Sequence, residues 1–284
     1  MPPFGSLSRP LEGKNILLTR PRHQTEQLRN LFEAAGANLF LQPTIEILPP
    51  DNWTAADRAI ASINDYDFLI FSSSNGVSSF GERLCFSAAS RQALLASCVS
   101  SVLPPHNMTQ KQIFPNMTPQ IVAVGSGTAE TLRHYHAQEI WLPATDFRAE
   151  GVLALLAEKD VTGKRILLIR GDRGRDILLK ELRRLGAFVE QISTYRSVDV
   201  KAASPEIASL LQSGKMDWIT VTSSAIAKAL VRMFGGELRK AKLVSISPIT
   251  SQTLAECGFP PTVEASQATM EAIVNVVSSY ENLV

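Results

Sequence analysis

Six short stretches of this 284-residue chain carry the side chains that could do chemistry on an anion. They are Arg20-Pro21-Arg22, Ser72-Ser73-Ser74-Asn75, Gly125-Ser126-Gly127-Thr128, Arg170-Gly171-Asp172-Arg173, Thr222-Ser223-Ser224 and Ser247-Pro248-Ile249-Thr250. Each follows a short apolar run and precedes a helical pattern. In parallel α/β sheets ligands bind at that place, beyond the carboxyl ends of the strands. Glycines and small hydroxyl residues there present backbone N–H groups, and arginines add a forked cation, a set that suits carboxylates or phosphates. Arg20, Ser73, Ser74, Gly125, Ser126, Thr128, Arg170, Ser223, Ser224 and Thr250 are therefore the candidate ligand-binding residues. Any one Ser or Thr among them is also explained as a helix N-cap. Polar tips recurring in matched positions favour a two-sided anion site.

Other motifs lose their force on inspection. Gly125-Ser126-Gly127 begins like a dinucleotide fingerprint, but Glu130 stands where the third glycine belongs. His134 and His136 are two apart and do not share a helix face. Cys85, Cys98 and Cys257 match neither a zinc ligand set nor a disulfide framework. With 28 basic and 27 acidic residues, the chain lacks the basic excess of a nucleic-acid binder. No apolar stretch approaches the roughly 20 residues of a membrane span. Residues 1–13 carry no apolar signal run, so a cytoplasmic location is expected.

The elements that must hold these tips come in two copies. Gly13-Lys14-Asn15-Ile16-Leu17-Leu18-Thr19-Arg20 returns as Gly163-Lys164-Arg165-Ile166-Leu167-Leu168-Ile169-Arg170, an offset of 150. The same offset sets Gly36 on Gly186, Asp67 on Asp217 and Ser73-Ser74 on Ser223-Ser224. From Thr128 to Thr250 it falls to 122, so the first copy carries 28 extra residues within about 85–118. Spacing held over several elements indicates duplication with a loop insertion. Apolar runs of strand length lie at 15–19, 38–41, 68–71 and 121–124, and again at 165–169, 188–192, 218–221 and 243–246. Helical patterns separate most of them, which predicts parallel sheets covered on both faces, in two doubly wound domains. The connectors 43–49 and 192–198 hold Ile45, Ile47, Tyr195 and Val198, and read as extended segments.

From about Gly13 onward the chain resembles the uroporphyrinogen-III synthase family. The resemblance rests on Leu18-Thr19-Arg20-Pro21, the connector 43–49, Phe71-Ser72-Ser73-Ser74-Asn75-Gly76-Val77 and Val122 to Ala129. Arg170-Gly171-Asp172, Thr194-Tyr195-Arg196, Thr222-Ser223-Ser224 and Ile246-Ser247-Pro248 continue it. The insertion and Ile249 are departures from the family pattern.

The resemblance implies a fold of two flavodoxin-like domains with exchanged N-terminal strand–helix–strand units. Residues 1–42 with 199–284 would form one domain and 50–191 the other, with 43–49 and 192–198 as a two-stranded linker ladder. The repeat by itself does not distinguish this from two contiguous domains. The implied activity is that of a lyase of porphyrin and heme biosynthesis that needs neither a metal nor an organic cofactor. It closes hydroxymethylbilane with loss of water and inversion of ring D through a spiro intermediate, in the cleft between the domains. Tyr195 matches the family's candidate acid, and a tyrosine stays protonated at neutral pH. A monomer is expected, with transient contact to hydroxymethylbilane synthase. Two alternatives stay open: a two-domain glycosyltransferase-like enzyme, which needs an acidic ribose partner that no motif supplies, and a two-lobed small-ligand binding protein.

Overall fold

In a computed structural model, which describes residues 9–97, 114, 118–174 and 176–283, the apolar runs become strands, the central ones buried on both faces. The first copy runs β1 (Asn15–Leu18), α1 (Glu26–Ala34), β2 (Asn38–Leu41), β3 (Ile45–Leu48), α2 (Thr54–Ala61), β4 (Phe68–Phe71), α3 (Ser74–Ser97), β5 (Gln120–Ala123), α4 (Ser126–His134), β6 (Ile140–Trp141) and α5 (Ala149–Ala157). The second runs β7 (Arg165–Gly171), α6 (Ile177–Arg184), β8 (Phe188–Asp199), α7 (Pro205–Gln212), β9 (Trp218–Val221), α8 (Ser224–Phe234), β10 (Lys242–Ser245), α9 (Pro248–Glu256), β11 (Val263–Glu264) and α10 (Met270–Leu283). The two-residue strands β6 and β11 are too short to show a period in sequence. The helix α3 is 24 residues long against 11 in its repeat partner α8, so the insertion begins as an extension of that helix. Most of the remaining insertion lies outside the described residues.

Two compact units result: Met1–Glu46 with Val198–Val284, and Ile47–Ser197. The first holds a five-stranded sheet in the order β11-β10-β9-β1-β2, and the six-stranded sheet is ordered β3-β8-β7-β4-β5-β6. The pairs β1–β2, β1–β9, β10–β9 and β10–β11 are parallel, as are β4–β5, β4–β7, β5–β6 and β7–β8. Each sheet therefore joins strands of both copies, because β1 pairs with β9 and β7 with β4.

One aspartate per unit fixes that exchange. Asp217 Oδ2 accepts the Asn15 N–H at 2.8 Å, while its own N–H reaches Asn15 O at 2.9 Å and its carbonyl takes the Lys242 N–H at 2.9 Å. Asp67 repeats the arrangement on Arg165, at 2.8 Å for both the carboxylate and the N–H, and on Gln120 at 2.8 Å. The helices α1 and α6 also end alike. Gly36 (φ 94°) and Gly186 (φ 84°) adopt the left-handed backbone that a helix C-terminus requires and that disfavours a Cβ.

Strand alternation sends side chains to both faces and builds two cores in the second unit. Leu69, Phe71, Leu167 and Ile169 pack with Ala56, Phe80 and Leu132 from α2, α3 and α4. Phe68, Ile70, Ile166 and Leu168 pack with Val152, Leu156 and Leu182 from α5 and α6. In the first unit Ile16, Leu18 and Trp218 meet Leu28, Phe32, Ile273 and Val277. Each such buried side chain stabilises by about 1.5–3 kcal/mol relative to exposure, so these faces hold the tips at their strand ends rigid. Among the described residues no helix is long and apolar enough to cross a membrane.

Candidate functional site

The second unit gathers its polar tips around Tyr195. Opposite β7, the strand β8 slips by one residue: Arg170 faces Ser193, but Gly171 faces Tyr195. The extra residue, Thr194, is buried with its hydroxyl unpartnered among the described residues. This bulge re-aims Tyr195. Its ring lies on Gly171, where a Cβ would stand 2.6 Å from the tyrosine Cζ, so no larger residue fits beneath it. Asp172 closes the turn, with its N–H on Tyr195 O at 3.1 Å and its Oδ1 on the Ser197 N–H at 2.9 Å.

At the head of α3, Ser73 Oγ accepts the Gly76 N–H at 3.1 Å and lies 2.9 Å from Tyr195 Oη. Burial pushes the Tyr195 hydroxyl above its ordinary range, and Asp172 adds to that, while Ser73, Arg170 and Asn75 pull it down. The phenol is a protonated donor at neutral pH. Next to α3, Gly125 caps α4 without a side chain, so the first N–H groups of that helix have no partner inside it. A Cβ at Gly127 would lie 3.8 Å from Ser74 Oγ, which brings the two helix starts together. Thr128, in the first turn of α4, is buried.

Arg170 is not presented at this surface. It is 7% exposed, its Nη1 is 2.9 Å from Asp176 Oδ1, and Gly174 of the following loop lies against its Nη2. Its charge is committed to Asp176.

The first unit arranges the same parts differently. Arg20, just beyond β1, reaches Met270 Sδ at 3.4 Å and Gln24 Oε1 at 3.3 Å, and neither partner is a carboxylate. Its Nε is buried without a hydrogen-bond partner among the described residues. Burial lowers its pKa from the usual arginine range. Among the described residues no carboxylate pairs with it, and a desolvated cation without a counter-ion is costly. Ser223 caps α8 by accepting the Ile226 N–H at 3.2 Å, and Ser224 Oγ accepts from Thr253 Oγ1 at 2.8 Å. At α9 the cap Ser247 accepts no backbone N–H of the helix, and Pro248 occupies the first turn. Thr250 is 2% exposed, and its hydroxyl is 3.2 Å from Ser247 Oγ.

N-capping is thus what Ser73 and Ser223 do, as their residue type alone allows. Asn75, Gly171 and Asp172 lie in the polar tips read from the sequence but are not among the candidate binding residues, and Gln24 is in neither. Among the described residues no group of three or more His, Cys, Asp or Glu side chains could hold a metal ion.

A family model described as uroporphyrinogen-III synthase HemD matches residues 26–275, both copies of the repeat included. The chain belongs to the uroporphyrinogen-III synthase family. Members of this family are lyases of porphyrin biosynthesis, and that membership selects the enzyme over the glycosyltransferase-like and binding-protein alternatives. The uroporphyrinogen-III synthase of Synechococcus elongatus is 27% identical over 280 residues, covering 95% of this chain and 97% of its own. That of Escherichia coli is 23% identical over 268 residues, covering 93% and 99%. Among solved structures, a mutant uroporphyrinogen III synthase from Thermus thermophilus superposes with a TM-score of 0.62 at 14% identity, covering 95% of this chain and all of its own. The Helicobacter pylori uroporphyrinogen-III synthetase gives 0.54 at 20% identity, covering 94% and 99%. At such identities the likeness speaks to the fold, two flavodoxin-like α/β domains.

Proposed function

We propose that the protein closes hydroxymethylbilane to the type III macrocycle. Family membership across both copies carries this reading. The polar tips suit a flexible substrate with many carboxylates, since holding it in the reactive fold is catalysis by proximity and orientation. Arg20 and the open N–H groups at Gly125, Ser126 and Thr128, with Ser74, Ser223, Ser224 and Thr250, take carboxylates. Arg170 is paired with Asp176 and leaves that task to Arg20.

Tyr195 gives its proton to the terminal hydroxyl as the C–O bond breaks and the bonding pair leaves with oxygen, so water departs. The resulting azafulvene is attacked by the substituted α-carbon of ring D. The spiro intermediate then fragments and recloses with that ring inverted. The carbon that closes last loses its hydrogen as a proton, which restores Tyr195. The extended connectors 43–49 and 192–198 act as the hinge segments in this reading. A cytoplasmic monomer receiving its unstable substrate through transient contact with hydroxymethylbilane synthase completes it.

The test is to add the protein to freshly made hydroxymethylbilane and resolve the oxidised products by isomer. An excess of type III over the spontaneous type I product is expected. Type I alone would overturn the assignment.

A further inference from the structure

Ser73 does more than cap a helix. Its Oγ accepts the Gly76 N–H at 3.1 Å, and that contact has only one possible direction because an amide only donates. Its second contact, 2.9 Å to Tyr195 Oη, joins two hydroxyls, either of which could donate. If Tyr195 donated, Ser73 would accept twice and its own hydrogen would have no acceptor among the described residues. In the opposite direction, from the Gly76 N–H to Ser73 and from the Ser73 O–H to Tyr195 Oη, the serine both accepts and donates, and the hydrogen left over is the phenolic one.

We propose that Ser73 is a positioning residue for proton delivery: by donating to Tyr195 Oη it leaves the phenolic proton free to point at the leaving hydroxyl of the substrate. The idea rests on Tyr195 being the acid. As that proton departs, charge builds on Oη, and the Ser73 donor is already aimed at it, backed by the positive end of α3. The Asn75 side chain acts on the phenol in the same sense as Ser73. Gly171 holds the ring in place from below, so the oxygen meets Ser73 at a fixed height.

Four variants separate this role from a cap and from a substrate contact. Ser73→Ala should lower kcat about tenfold, the scale of one hydrogen bond to a charged group, with KM within about twofold. Ser73→Thr keeps a donor and should recover most of kcat. Ser73→Asp still accepts the Gly76 N–H but cannot donate when ionised, so it should be as slow as Ser73→Ala. In the Tyr195→Phe background, Ser73→Ala should cost nothing further in kcat. A rise in KM at unchanged kcat would overturn the proposal in favour of substrate contact, and a fully active Ser73→Asp would overturn it in favour of a cap alone. Tyr195→Phe by itself distinguishes the two layers. If that variant is fully active, the acid assignment falls and this inference with it; if it is slow while Ser73→Ala and Ser73→Asp are normal, only the role of Ser73 falls. Thermal midpoints identify any variant that fails to fold, and the Thr and Asp variants, which preserve the cap, keep the test decisive.

Discussion

Position for position, 150 residues apart, the two copies share side chains and use them differently. Arg20 and Arg170 both leave a central strand. Arg170 is buried against Asp176, whereas among the described residues Arg20 bonds to Gln24 and Met270, although Glu26 stands at the position equivalent to Asp176. The next residue is Pro21 in one copy and Gly171 in the other. After the paired Thr44 and Thr194, both buried with hydroxyls unpartnered among the described residues, comes Ile45 in one and Tyr195 in the other. Only the copy with glycine has room for a tyrosine ring over the strand. The parts that build the fold are retained twice: the clamping aspartates, the helix-ending glycines and the capping serines. The parts that touch substrate, in the proposed scheme, are divided, with the open cation in one unit and the acid in the other.

The largest break in that division should come from Tyr195→Phe, expected to cut kcat about a hundredfold while leaving the circular dichroism spectrum and thermal midpoint unchanged. Wild-type turnover would remove Tyr195 from the chemistry. Gly171→Ala should act on the same group indirectly, since its methyl must displace the ring. It is expected to lower turnover and cost about 1–3 kcal/mol of stability in denaturant titrations.

A stability difference of similar size marks the first unit. Burial alone would raise the pKa of Glu281, but hydrogen bonds from Lys14, Lys242 and the Trp218 indole outweigh it and hold the carboxylate at about 2. The depressed value means that the stabilisation, on the order of 3 kcal/mol, is complete above about pH 4.5 and is lost as pH falls towards 2. Glu281→Gln should be less stable at pH 7 and should lose less than the parent between pH 4.5 and 2, as read by urea titration at each pH.

The two arginines should then part company. Arg20→Ala is expected to raise KM about tenfold with little loss of stability, and Arg170→Ala to lower stability by about 2 kcal/mol through the Asp176 partner and the loop. A KM effect at Arg170 with none at Arg20 would reverse the assignment. The smallest effects should be the most alike: Asp67→Asn and Asp217→Asn should each cost about 1 kcal/mol, because each replaces a charged acceptor by a neutral amide at the same backbone junction.

The amino-acid sequence determined the repeat, its register, and eight strand positions to within a residue or two at their carboxyl ends, except where β8 runs on through the connector to Asp199. Alternating burial and glycine punctuation are local, and a linear reading captures local patterns. It also placed every polar tip, because a tip is simply the segment after a strand. The tertiary structure alone decided which tips are open. Whether Arg20 or Arg170 is neutralised depends on a loop carboxylate that swings back in one copy only. The burial of Thr128 and Thr250 depends on how the first helical turn packs. The bulge at Thr194 sets Tyr195 over Gly171 and beside Ser73, 122 residues away in the chain. Those outcomes arise from contacts between distant segments, which residue types allow but do not choose.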